Sequence, residues 1–134
     1  MESTEKVSVN MNIATISQID LLVDEGYFSN RSDFINQAVR QILDQKTHII
    51  EDVRKRKSRQ DNHQYNYWFI GIAGLDSEDL LRAKENKAKM KVSGYGLLII
   101  EDVPDELVME AVESIKVKGK VACSEKLKEY FSLR

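Results

Sequence analysis

Residues 6–12, Lys-Val-Ser-Val-Asn-Met-Asn, alternate strictly, with Val7, Val9 and Met11 on one face and Lys6, Ser8 and Asn10 on the other. That is the period of a half-buried strand. The period then changes. Behind Asn12, a residue suited to capping a helix, Ile16, Ile19, Leu22 and Val23 recur at spacings of three and four until Gly26 stops the pattern. Residues 26–29 read as a turn with Tyr27 and Phe28 as its core anchors. Asn30, followed three residues later by Asp33, is a variant of the capping box, and a second helix runs from Arg31 with Phe34, Ile35, Ala38, Val39, Ile42 and Leu43 on one stripe. The strand has no hairpin partner nearby, so its partner is expected in a second copy of the chain. About fifty residues cannot enclose the strand face and both stripes alone, whereas two copies close them into a shared core. A two-stranded ribbon between copies fits the major groove of DNA, and Lys6, Ser8 and Asn10 are types that hydrogen-bond base edges there.

Past the second helix, Ile49, Ile50 and Val53 keep helical spacing, and then the apolar signal ends. Residues 51–64 read as a basic helix end and polar linker. From Tyr65 the pattern alternates strands with helices. Ile70-Gly71-Ile72-Ala73-Gly74, Met90-Lys91-Val92-Ser93-Gly94 and Ile115-Lys116-Val117-Lys118-Gly119 share one template, and amphipathic helices follow them at 76–87, 104–114 and 124–131. Such units predict a short solenoid-like stack with parallel strands. If Ser93-Gly94-Tyr95-Gly96 is a hairpin turn instead, the order becomes ferredoxin-like βαββαβ. Either way the fold class is α/β.

Net charge is −2, so charge balance alone does not argue for nucleic acid and any such binding rests on local placement. Arg54, Lys55, Arg56 and Lys57 are consecutive. They are either a solvated tail that complements a helix C-terminus or contacts to a DNA backbone. The single cysteine, Cys123, permits no internal disulfide and suits a reducing, cytoplasmic setting. Neither a signal peptide nor an apolar run long enough for a membrane span is expected.

The string Lys-Val-Ser-Val-Asn-Met-Asn, then Ile-Asp-Leu-Leu-Val-Asp-Glu-Gly-Tyr-Phe, then Ser-Asn-Arg-Ser-Asp-Phe-Ile-Asn-Gln-Ala-Val-Arg resembles the ribbon-helix-helix DNA-binding regulators over residues 5–45, the N-terminal third. The resemblance implies an intertwined β-α-α homodimer that binds double-stranded DNA, with Lys6, Ser8 and Asn10 reading bases. It also implies a DNA phosphate at the second helix's N-terminus, at Asn30, Arg31 and Ser32, where free amides and the helix dipole attract an anion. Arg31 has an equally open reading as a surface ion pair. Asn36 stands where many relatives carry arginine. The expected domains are a DNA-binding and dimerisation domain over 1–50, the basic helix end and linker over 51–64, and an α/β domain over 65–134 for oligomerisation, extending to a tetramer, or for regulation. The expected function is a site-specific transcriptional repressor. The alternatives are an antitoxin or operon autoregulator with a protein partner on its C-terminal domain, and an assembly protein dimerised by its head.

Other chemistry is thin. Nickel-responsive regulators share the layout, but here the two histidines, His48 and His63, both precede the C-terminal domain, and no metal site or cofactor is expected. Glu101, Asp102, Asp105 and Glu106 around Pro104 read as an acid-rich helix start rather than a cation site. Cys123 reads as a small apolar residue. Trp68 with Tyr65, Tyr67 and Phe69 reads as core or interface, with a ligand pocket as the other reading. No nucleophile–base pair is present, so no enzyme activity is expected.

Overall fold

The computed structural model describes residues 4–59 and 66–133. The chain divides into two compact units, Met1–His48 and Ile49–Arg134.

In the first unit a segment without helix or strand, residues 4–12, precedes α1 (Ile13–Asp24) and α2 (Arg31–Gln45). Asn12 caps α1, its side-chain oxygen accepting from the Ala14 amide at 2.7 Å. The helix ends in a Schellman motif, in which the Gly26 amide donates to Val23 and the Tyr27 amide to Leu22, with Gly26 at φ +87°. Phe28 packs edge-to-face on Phe34, with ring centroids 4.9 Å apart, and so pins the turn to α2. Tyr27 does not share that role: it is 72% exposed, against its expected place in the core. Ile19 is the one buried residue of α1, and α2 buries none.

α2 does not simply fray into a linker. It stops at Lys46, and a separate helix, α3 (Thr47–Arg59), carries the basic run. The expected linker is therefore helical through Arg59, and its 60–64 portion lies outside the described residues, as do Tyr65 and His63.

The second unit alternates β1 (Asn66–Leu75), α4 (Ser77–Glu85), β2 (Met90–Ile100), α5 (Asp105–Ala111), β3 (Val112–Ala122) and α6 (Glu125–Tyr130). The three strands form one parallel sheet in the order β1-β2-β3. The ferredoxin-like alternative is thereby corrected: residues 93–96 run straight through β2 instead of turning back. Parallel neighbours need a crossover, and α4 and α5 supply it.

Strand parity sorts the two faces. Phe69 and Leu75 of β1, Met90, Val92, Leu98 and Ile100 of β2, and Val112, Ile115 and Val121 of β3 are buried with Leu80, Ala83, Val108, Ala111 and Leu127 of the helices in one core. Each helix starts with a local device. Asp76 accepts from the Asp79 amide at 2.8 Å and Ser124 from the Leu127 amide at 3.3 Å. Pro104 precedes α5 without a side-chain cap, and Asp105 and Glu106 occupy its first turn. These acids hold α6: Ser124 donates to Asp105 at 3.0 Å and Lys126 pairs with Glu106 at 3.1 Å. α5 is shorter than its periodicity predicts, because the chain passes directly from Ala111 into β3 and Val112 belongs to the strand.

The in-register glycines are Gly71, Gly96 and Gly119, 25 and 23 residues apart. This corrects the template alignment, which matched Gly74, Gly94 and Gly119. A period of two is unchanged by a two-residue slip, so side-chain alternation cannot distinguish Gly94 from Gly96.

Candidate nucleic-acid interface

Lys6, Ser8 and Asn10 are exposed, and so are Val7 at 78% and Val9 at 69%, whose apolar side chains alternate with them. Among the described residues, no strand of the same chain pairs with this segment. The α2 stripe is open too, with Val39, Ile42 and Leu43 each about half exposed. Exposed apolar side chains in a segment outside any sheet, beside an uncovered apolar helix stripe, form a surface that associates.

At the start of α2, Asn30 is extended and its side chain accepts from the Asp33 amide at 2.8 Å. The Asp33 carboxylate accepts from the Ser29 amide at 3.0 Å and from Gln37 at 3.0 Å. Those bonds, Gln37 first, hold its carboxyl below its ordinary range. The cap is thus reciprocal, as the spacing predicts, but the carboxylate reaches one residue further back than in a standard box. Asn30 and Asp33 account for one amide of the first turn; those of Arg31 and Ser32 have no intrahelical partner by position.

The Arg31 side chain is committed elsewhere. Its guanidinium donates to both oxygens of Asp20 at 2.8 Å each, a bidentate bridge from α2 to α1. The hydrogen bond from Arg31 is the main cause that holds the Asp20 carboxyl below its ordinary value. Of the two readings of Arg31, its side chain makes the ion pair here, with Asp20.

The basic run is divided as well. Arg54 pairs with Glu51 at 3.5 Å along α3, whereas Arg56 and Lys57 line a groove of the second unit. The aromatic cluster is split by strand parity: Phe69 is in the core, Tyr67 packs against it, and Trp68 faces the opposite side and lines that groove. Burial is the first cause that raises the Tyr67 hydroxyl and the Cys123 thiol above their ordinary values. Among the described residues, no three histidine, cysteine or acidic side chains are grouped to hold a metal ion, and no helix is long and apolar enough to cross a membrane.

No solved structure matches the chain. An uncharacterised protein of Methanocaldococcus jannaschii is 37% identical over 57 residues, which are 42% of this chain and 54% of that protein, so the chain spans about half the relative's length. The model of the ribbon-helix-helix transcriptional regulator family matches residues 2–128, far beyond the N-terminal third that carries the legible motif. The chain belongs to the ribbon-helix-helix transcriptional regulator family.

Proposed function

We propose that this chain is a site-specific repressor that acts as a homodimer. Residues 6–12 of two copies pair as an antiparallel ribbon in the major groove, with Lys6, Ser8 and Asn10 toward base edges and Val7, Val9 and Met11 toward the shared core. A DNA phosphate sits on the Arg31 and Ser32 amides at the start of α2, where the helix dipole adds to the attraction. The observation that carries the reading is the exposure of Val7 and Val9 together with the α2 stripe, in a segment whose polar positions are those of a groove reader. A second copy covers all of these apolar positions at once. The second unit has a core of its own, which argues against a C-terminal tail that orders only on a toxin.

The test is DNA binding to fragments from upstream of the chain's own gene, titrated across salt, for the parent and for a variant with Lys6, Ser8 and Asn10 all changed to alanine. Tight binding to one fragment by the parent, lost in the variant, is the expected outcome. Binding that is weak and blind to sequence in both proteins rules the reading out.

A further inference from the structure

The sheet of the second unit has one face packed on its helices and one face that the core does not use. On that second face the register sets two rows across the strands. Lys116, Ser93 and Trp68 are direct neighbours in one row, and Lys118, Tyr95 and Ile70 in the next. A groove of about 820 Å³ runs over these rows, lined by Trp68, Tyr95, Lys116 and Lys118 from the strands and by Arg56 and Lys57 from α3. Among the described residues, no acidic side chain lines it. Among the described residues none of the four cations makes an ion pair, whereas neighbouring Lys91 pairs with Glu113 and Arg54 with Glu51. In a chain with more acids than bases, four unpaired cations from two elements on one concavity make it locally positive and attract an anion.

The geometry points to a binding site for a nucleoside di- or triphosphate. The row spacing sets the ligand's dimensions: lysine and tryptophan of one row are two strand spacings apart, roughly 10 Å, the separation between a base and its terminal phosphates. Trp68 and Tyr95 offer rings on which a base stacks, and Lys116 and Lys118, with Arg56 and Lys57 lining the same groove, take the phosphate oxygens. The volume is that of a small-molecule site, about 300–1,000 Å³, and a duplex does not enter a concavity of that size. The site goes beyond DNA binding by the first unit and uses none of its groove-reading residues. Occupancy would give the regulator an input in its second unit.

Trp68 is the chain's single tryptophan, so its fluorescence reports this groove alone. The full-length protein is titrated, without DNA, with ATP, GTP and UTP, with inorganic triphosphate and with a short single-stranded oligonucleotide, and equilibrium dialysis checks the stoichiometry. The same series is run on the K116Q/K118Q double variant, whose changes lie on exposed strand positions, after thermal unfolding shows that its fold is intact. Saturable binding of at least one nucleotide at one per chain, weakened at least tenfold in the double variant and tighter than that of triphosphate, is the expected result. The proposal is overturned if no nucleotide binds saturably, if the double variant binds as well as the parent, or if triphosphate matches the nucleotides and so leaves the rings without a role. It is equally overturned if the oligonucleotide binds more tightly than every mononucleotide, which makes the groove a track for single strands. Because no arm contains DNA duplex, failure here is separate from failure of the repressor reading.

Discussion

A methyl group on Gly96 would lie 2.0 Å from the carbonyl oxygen of Gly71 on the neighbouring strand. The same relation repeats one strand on, between Gly119 and the Gly96 carbonyl, and all three glycines have positive φ. At Gly96 and Gly119, backbone of the neighbouring strand therefore stands where a side chain would otherwise be.

Gly96→Ala and Gly71→Ala separate the two causes. Gly71 has φ +107° but open space around its missing Cβ, so its alanine variant carries only the left-handed backbone cost of about 1–3 kcal/mol. Gly96→Ala adds a clash with immovable backbone and is expected to lose about 3 kcal/mol or more, from the backbone cost and the overpacking together. Chemical denaturation of the two variants checks the order. Equal losses would mean that strand contact plays no part.

How much of this was legible in the chain depends on which signals are local. The caps of α1, α2, α4 and α6 were, because Asn12, Asn30, Asp76 and Ser124 act on amides two or three residues away. So was the strand-helix alternation. The glycine ladder was not, since Gly71, Gly96 and Gly119 meet only through inter-strand register. Nor was the break at Lys46, where Ile42, Leu43, Ile49 and Ile50 keep helical spacing across the interruption. The extent of the family likeness was legible only over residues 5–45, because the second unit's apolar alternation is common to many parallel sheets. At the site, parity groups Lys6, Ser8 and Asn10 on one side of residues 6–12, whereas the commitment of Arg31 to Asp20, 11 residues back, is a tertiary fact.

Asn30 serves as cap, and its substitution is expected to cost stability before it costs affinity. Asn30→Ala removes the acceptor of the Asp33 amide and is expected to lose about 1 kcal/mol. Ser32→Ala, at a position with no part in that cap, is expected to leave the unfolding midpoint unchanged and to weaken DNA binding only modestly, because in the proposed complex the phosphate is held by amides. Thermal melts and binding curves on both variants test this. A stable Asn30→Ala would remove the cap from the account.

Acid weakens the α1–α2 bridge in a defined direction. The Asp20 carboxyl, bonded by Arg31, titrates below its ordinary value of 3.8 in the folded chain. The unfolded chain thus takes up its proton first as pH falls, and the stability due to the bridge is complete above 3.8 and is lost as pH drops through the lower folded value. Asp33 is shifted the same way and adds to the loss. Asp20→Asn is expected to flatten this acid limb while leaving its alkaline side unchanged. Melting temperatures of parent and variant between neutral pH and strong acid check it, and parallel curves for the two proteins would contradict the bridge.

The sharpest test of the dimer sets Val9 against its neighbour Ser8. Both are exposed in the single chain, so neither substitution to glutamate meets a steric obstacle there. In a ribbon dimer their faces differ: Val9 turns into the shared core and Ser8 toward DNA. Val9→Glu buries an unpaired carboxylate and is expected to raise the dimer dissociation constant about a hundredfold, roughly 3 kcal/mol. Ser8→Glu keeps its charge in water when free and brings it against a polyanion when bound, so it is expected to leave association intact and abolish DNA binding. Sedimentation velocity across a concentration series reads the first quantity and DNA titration the second. The two variants carry the same new charge one position apart, so an equal effect on association would mean that residues 6–12 have no buried face, and the ribbon would have to be abandoned.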